Sequence, residues 1–219
     1  MTIQDRAVNF PVASRSVVYE GRVWNIVHDT FVFPDTGESL GRDYIDHPGA
    51  VAVVALDEQD RVLMIEQYRQ PVGMYLWEVP AGLLDIDGED PLTAAQRELF
   101  EEADVRADEW HVLVDQFNSP GSSAEALRIF LAQGIHEIPE SERFTRDGEE
   151  ASMELRWVPF TEALDAVMDG RIHNPSAVSG LMALSVAKQR GLDSLREPDA
   201  DWSAHPAFRD QTSPSAQDA

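Results

Sequence analysis

A chain of 219 residues is long enough for one ordinary domain with a sizeable core, with room for a small subdomain or tails. Its 40 acidic against 17 basic side chains, a formal charge of −23, exclude a non-specific binder of nucleic acid or anionic membrane, which needs a basic footprint. The absence of cysteine excludes disulfides, thiolate metal sites and cysteine nucleophiles, and no apolar leader or run of about eighteen apolar residues is present, so the expectation is a soluble, cytoplasmic protein.

Residues 1–14 are mixed in character and read as a loose arm. From Ser16 the pattern turns to strand: V-V-Y-E, then V-W-N-I-V-H-D-T-F-V-F, separated by a turn at Gly21-Arg22 and ended by the turn former P-D-T-G-E-S at 34–39. A third strand, Gly41 to His47, completes a small antiparallel β unit over residues 15–47. Its Trp24, Phe31 and Phe33 read as core or interface, with a partner subunit or an aromatic ligand as the less common alternative. A-V-A-V-V-A-L after Gly49 is a continuous apolar run, the mark of a strand buried on both faces. V-L-M-I-E-Q-Y-R and Tyr75 to Val79 are further strands, the second leading straight into Pro80-Ala81-Gly82.

Pro91 to Ala103 reads as a helix: Pro91 suits a first turn, Leu92, Ala94, Ala95 and Leu99 are good formers, and no glycine interrupts it. Beyond it W-H-V-L-V-D-Q-F and A-L-R-I-F-L-A are strands flanking the loop at 117–123, and residues 135–150 are a polar, acidic loop of the kind function often uses. M-E-L-R-W-V-P-F is a last strand, Thr161 caps a helix carrying Leu164 and Val167, and Pro175 to Arg190 forms a second amphipathic helix. Residues 192–219 turn to Asp, Ser, Pro, Ala and Gln and read as an acidic tail, disordered or lightly docked. The expected class is α+β, with a mixed sheet carrying helices over 48–191.

On the helix at 91–103, Glu98 and Glu102 are four apart and Glu101 three from Glu98, so a band of carboxylates shares one face. Like charges that close repel, so either they are simply solvated or a cation sits among them, and hard oxygen donors suit Mg2+ or Mn2+.

The ordered set Gly82, Glu89, Arg97, Glu98, Leu99, Glu101, Glu102 and Val105 resembles the Nudix box, G-x5-E-x7-R-E-U-x-E-E-x-G-U with U apolar. Two positions depart from it: six residues rather than five separate Gly82 from Glu89, and Asp104 stands where the box has glycine, at a point where left-handed backbone is expected and Asp is tolerated. The resemblance implies a Nudix-type α/β/α sandwich preceded by the small β unit, and hydrolysis of a diphosphate. It implies that Glu98, Glu102 and the carbonyl of Ala81 ligate a divalent cation, that Glu101 completes or tunes the cluster, and that Arg97 orients the carboxylates as a fixed fork able to hold one bidentately.

Flanking segments resemble the ADP-ribose-hydrolysing branch of that family: E-Q-Y-R at 66–69, W-E-V-P-A-G at 77–82, S-P-G at 119–121 and the β unit ahead of the catalytic domain. S-S-A-E at 122–125 departs from that branch's usual loop. That resemblance, spanning roughly residues 16–190, implies ADP-ribose as substrate, AMP and ribose 5-phosphate as products, and a domain-swapped homodimer whose sites draw on both subunits. It implies that Arg69 and Arg42 hold the diphosphate or terminal ribose, that Glu78 is an active-site carboxylate, and that Trp24 stacks on adenine. The general base is expected in D-G-E-E-A-S-M at 147–153, where Glu150 aligns best and Glu149 is its rival, although metals could activate the water without either. Other substrates keep the same chemistry: another nucleoside diphosphate sugar, a dinucleotide, or an oxidised nucleotide. A non-catalytic ADP-ribose sensor is the reading from a different class, opposed by the intact glutamates and the lack of a basic module.

Overall fold

The computed structural model describes residues 2–146 and 153–209. They fall into two compact units, one drawn from 2–49, 117–126 and 202–209, the other from 50–116 and 127–201.

The first unit is built on an antiparallel meander of Val12–Tyr19 (β1), Asn25–Phe33 (β2) and Glu38–Asp46 (β3) in the order β1-β2-β3. Alternation buries Val27 and Asp29 on one face of β2. The buried Asp29 carboxylate is satisfied by a bidentate Arg15 at 2.7 Å and by the Tyr44 hydroxyl at 2.8 Å. Every residue of β1 is exposed, Val17, Val18 and Tyr19 among them. Two findings widen the β unit beyond the expected 15–47. The strand pattern begins at Val12, and the segment 117–126 joins it because Ile45 donates to the Ser122 carbonyl and accepts from the Ala124 N–H, at 2.9 and 3.0 Å.

The second unit contains Ala50–Ala55 (β4), Arg61–Arg69 (β5), Met74–Glu78 (β6), Ala81–Leu83 (β7), Pro91–Ala103 (α1), Val105–Phe117 (β8), Ala126–Glu137 (β9), Glu154–Pro159 (β10), Phe160–Met168 (α2) and Pro175–Arg190 (α3), the inner ends of β8 and β9 belonging to the first unit. One sheet runs β7-β4-β9-β8, with β4 antiparallel to β7 and parallel to β9. The other runs β10-β5-β6 and is antiparallel. Strand β4 is buried along its whole length, as its apolar run requires. Its Ala50, Ala52 and Val54 enter a core with α2 and α3, while Val51, Val53 and Ala55 enter a second core with Ala94, Ala95 and Leu99 of α1. Helices therefore cover both faces of a mixed sheet, the α/β/α arrangement expected. Helix α2 starts at Phe160, not at a Thr161 cap, because the Phe160 N–H bonds the Asp60 carbonyl and its ring is buried.

Of the two expectations for the tail, disorder or docking, residues 192–209 follow the second. In the second unit, Arg196 pairs with Val112, and the buried Arg128, bidentate to Asp115, also donates to the carbonyls of Ala200 and Asp201. In the first, Trp202 and His205 are buried, with Phe208 against both rings in the short helix Pro206–Arg209 (α4). No helix of the described residues is long and apolar enough to cross a membrane.

Candidate active site

Helix α1 is delimited by local chemistry. Asp90 caps it, its carboxylate accepting from the backbone N–H groups of Leu92 and Thr93 and from the Thr93 hydroxyl, and Pro91 fills the first turn. At the far end Asp104 adopts φ 53° and ψ 35°, the left-handed conformation expected there, and its N–H closes the last turn on the Phe100 carbonyl. The six-residue spacer between Gly82 and Glu89 is absorbed by a turn in which the Glu89 N–H bonds the Ile86 carbonyl and Gly88 sits at φ 80°.

The buried Leu99, Ala94 and Ala95 press one side of α1 into the core and leave Arg97 with the acidic band. Arg97 is bidentate to Glu89, through Nε at 3.0 Å and Nη2 at 2.9 Å. Its Nη1 reaches Glu98 at 2.6 Å and Glu101 at 3.3 Å. The fork anticipated for the carboxylates of the helix is thus spent on Glu89, which precedes it, and Glu98 and Glu101 are each held through one nitrogen. Hydrogen bonding to Glu89, opposed by burial and helped by the Glu98 charge, holds this guanidinium protonated well above its already high range. Glu102 is buried, with Oε2 accepting from the Ala81 N–H at 2.9 Å.

Gly82 explains how Glu98 fits. It lies on β7 opposite Val51, and a Cβ added there would sit 1.9 Å from Glu98 Oε1 and 2.0 Å from its Cδ. Only glycine leaves room for that carboxylate against the strand. Among the described residues no three acidic or imidazole side chains converge closely enough, as they stand, to hold an ion. The donor set nonetheless fits a divalent cation chemically. Arg97 brings a single positive charge to three carboxylates, Glu98 occupies a cradle that a Cβ would fill, and all the donors are hard oxygens.

Arg69 and Glu78, expected separately, are joined: Arg69 at the end of β5 is bidentate to Glu78 of β6 at 2.8 and 2.6 Å, with Glu78 only 3% exposed. Arg42 and Trp24 belong to the first unit. Arg42 is exposed on β3 and donates to the carbonyl of its neighbour Gly41, and Trp24 is 42% exposed with its ring 5.4 Å from that of His47. Burial pushes the His47 imidazole below its ordinary range, against the raising effect of Glu125. Glu149 and Glu150 lie outside the described residues. A cavity of about 280 Å³ behind α2, lined by Met64, Trp77, Arg156 and Arg171 among others, contains none of the expected residues.

Residues absent from the sequence reading of the site are Asp90, which a D-P-x-T cap pattern could have revealed, and Arg146, which nothing local could. Arg146 donates to the Glu101 carbonyl and to the Asp104 carboxylate.

A model of the NUDIX domain matches residues 46–177. The chain is 38% identical to the ADP-ribose pyrophosphatase of Mycobacterium tuberculosis (strain ATCC 25618 / H37Rv) over 198 residues, 90% of this chain and 93% of that one. It is 31% identical to the methanol dehydrogenase activator of Bacillus methanolicus over 169 residues, 77% of this chain and 89% of that one. A crystal structure of an ADP compounds hydrolase superposes with a TM-score of 0.69, covering 86% of this chain and 99% of that one at 19% identity, a likeness of fold.

Proposed function

The chain belongs to the Nudix family, and from that premise we propose that it is a hydrolase cleaving the diphosphate of ADP-ribose to AMP and ribose 5-phosphate. The observation that carries the chemistry is the Arg97-centred group of Glu89, Glu98 and Glu101 beside the buried Glu102. The substrate is supported by the mycobacterial relative's activity together with the flanking Arg69 and Glu78.

In this reading Glu98, Glu102 and the Ala81 carbonyl would hold Mg2+ or Mn2+, which when bound supplies charge to neutralise the diphosphate and acidifies an attacking water. Arg97 keeps the carboxylates oriented before substrate arrives, so less reorganisation remains for the transition state. Arg69, itself oriented by Glu78, and Arg42 grip diphosphate or ribose oxygens, and Trp24 stacks on adenine. Glu150 takes the proton from water as its oxygen attacks one phosphorus. The bond from that phosphorus to the bridging oxygen breaks, and the other phosphate leaves with the bridging oxygen. A domain-swapped homodimer is the assembly we propose, supported by the exposed apolar residues of β1, and the compartment proposed is the cytoplasm.

Incubation with ADP-ribose and Mg2+, with products separated by ion-exchange chromatography, tests the assignment. AMP and ribose 5-phosphate in equal amounts are expected. Intact ADP-ribose beside a cleaved nucleoside diphosphate sugar or dinucleotide would move the reading to that substrate class.

A further inference from the structure

The position at which the Nudix box carries glycine is occupied here by Asp104, and its side chain is not merely accommodated. Its side chain is 14% exposed and that of its partner Arg146 17%, so the pair is largely removed from water. Asp104 is bonded at three places: its N–H to the Phe100 carbonyl at 3.1 Å, its carbonyl to the Ile138 N–H at 2.9 Å, and Oδ2 to Arg146 Nη2. Its Oδ1 is buried with no hydrogen-bond partner among the described residues. Arg146 also donates through Nε to the Glu101 carbonyl at 2.8 Å, one of the carbonyls that a helix end leaves without an intrahelical donor.

Helix α1 has no basic residue in its own last turn. Arg146, 42 residues beyond Asp104, supplies the cation that the negative end of the helix favours. Residues 138–146 are consequently fastened at both ends to the last turn of α1, the turn that carries Glu101 and Glu102.

We propose that Asp104 and Arg146 are a positioning pair that replaces the box glycine and holds the end of α1, and with it the carboxylates of Glu101 and Glu102, in their working orientation. The inference rests on reading α1 as the catalytic helix. Glycine would satisfy the left-handed backbone better than Asp does, so tolerance of Asp and use of Asp make opposite predictions for D104G. If Asp104 is a tolerated stand-in, restoring glycine relieves strain and costs no activity. If it is a tether, the same change keeps the fold and loses function.

The test compares wild type with D104G, D104N, R146A and D104G/R146A. Three properties are read: kcat and KM for ADP-ribose with Mg2+, affinity for Mn2+ from the paramagnetic resonance of the free ion, and Tm. For D104G we expect a folded protein with a modestly lower Tm, the relaxed left-handed backbone offsetting part of the cost of leaving Arg146 without its carboxylate, together with a fall in kcat of tenfold or more, KM within twofold, and Mn2+ binding weakened severalfold. D104N, which keeps an acceptor oxygen and tolerates the backbone, should recover most of kcat. D104G/R146A should be no worse than the poorer single variant, and because it leaves no unpaired buried charge it covers the case in which R146A alone misfolds. D104G with wild-type kcat and Mn2+ affinity would overturn the proposal. If wild type fails to cleave ADP-ribose while D104G still weakens Mn2+ binding, the substrate reading fails and the positioning pair stands.

Discussion

Replacing Gly82 by alanine adds one methyl group, at the place where the catalytic reading allows none. The new Cβ would meet Glu98 Oε1 at 1.9 Å, its Cδ at 2.0 Å and its Cγ at 2.6 Å. From 1.9 Å to the 3.4 Å of an ordinary contact is a retreat of about 1.5 Å for the carboxyl oxygen. A retreat of that size takes the carboxylate away from β7 and out of the position in which it meets Arg97 at 2.6 Å. A misplacement of roughly 1 Å in a catalytic group can cost on the order of 100-fold, about 2.7 kcal/mol of transition-state stabilisation. Stability should move the other way or not at all. Gly82 lies in β7 with no positive φ, so alanine is conformationally acceptable and restricts the unfolded chain, a gain of about 0.4–1 kcal/mol before the side-chain shift is counted. The assay is steady-state hydrolysis of ADP-ribose alongside a urea melt. We expect kcat down about 100-fold with the melt midpoint within its wild-type range. Full activity would refute the argument that Glu98 must lie against the strand to work.

Glu102→Gln should abolish turnover, and extra Mg2+ should not restore it; normal hydrolysis by that variant would remove Glu102 from the ligand set. Glu150→Gln should lower kcat at least tenfold with little change in KM, read from initial rates, and an unchanged rate would take Glu150 out of the mechanism. A double-mutant cycle of Arg69→Ala and Glu78→Gln, followed by urea unfolding, should give a coupling of about 1–3 kcal/mol, below the range for a fully buried pair because the Arg69 side chain is 44% exposed. The Arg15 hydrogen bonds hold the buried Asp29 carboxyl below its usual range. That contribution is complete above about pH 4, the ordinary carboxylate value, and is lost as pH falls through the lower folded-state pKa. Asp29→Asn should flatten this acid limb of an unfolding profile, and an unaltered limb would assign it to other carboxylates.

What could be read in the chain beforehand depended on local information. Helix α1 spans Pro91–Ala103 as anticipated because a cap, a first-turn proline and an uninterrupted apolar face all lie within its own residues. The burial of β4 on both faces was legible for the same reason. The left-handed backbone at Asp104 was also legible, from its place just past the helix. The partners of these residues were not. Arg97 spends its fork on Glu89, eight residues back and off the helical face, and a three- or four-residue spacing does not disclose that pairing. The Arg69–Glu78 pair depends on the register of β5 against β6, in which Ile65 faces Glu78. Arg146 and the buried Trp202 reach their neighbours through tertiary contacts alone, so a polar loop and a tail of low apolar content concealed them. Thr161 misled for a related reason: a distant carbonyl, that of Asp60, starts α2 one residue earlier.

The proposed chemistry is hydrolysis of the ADP-ribose diphosphate at α1 with a divalent cation. The direct measurement is kcat/KM for ADP-ribose, GDP-mannose, NADH and 8-oxo-dGTP, in Mg2+ and in EDTA, with a coupled phosphatase reporting the phosphomonoester released. Turnover that EDTA abolishes and a clear preference for ADP-ribose are expected. Hydrolysis unaffected by EDTA, or none of the four substrates cleaved, would contradict that chemistry.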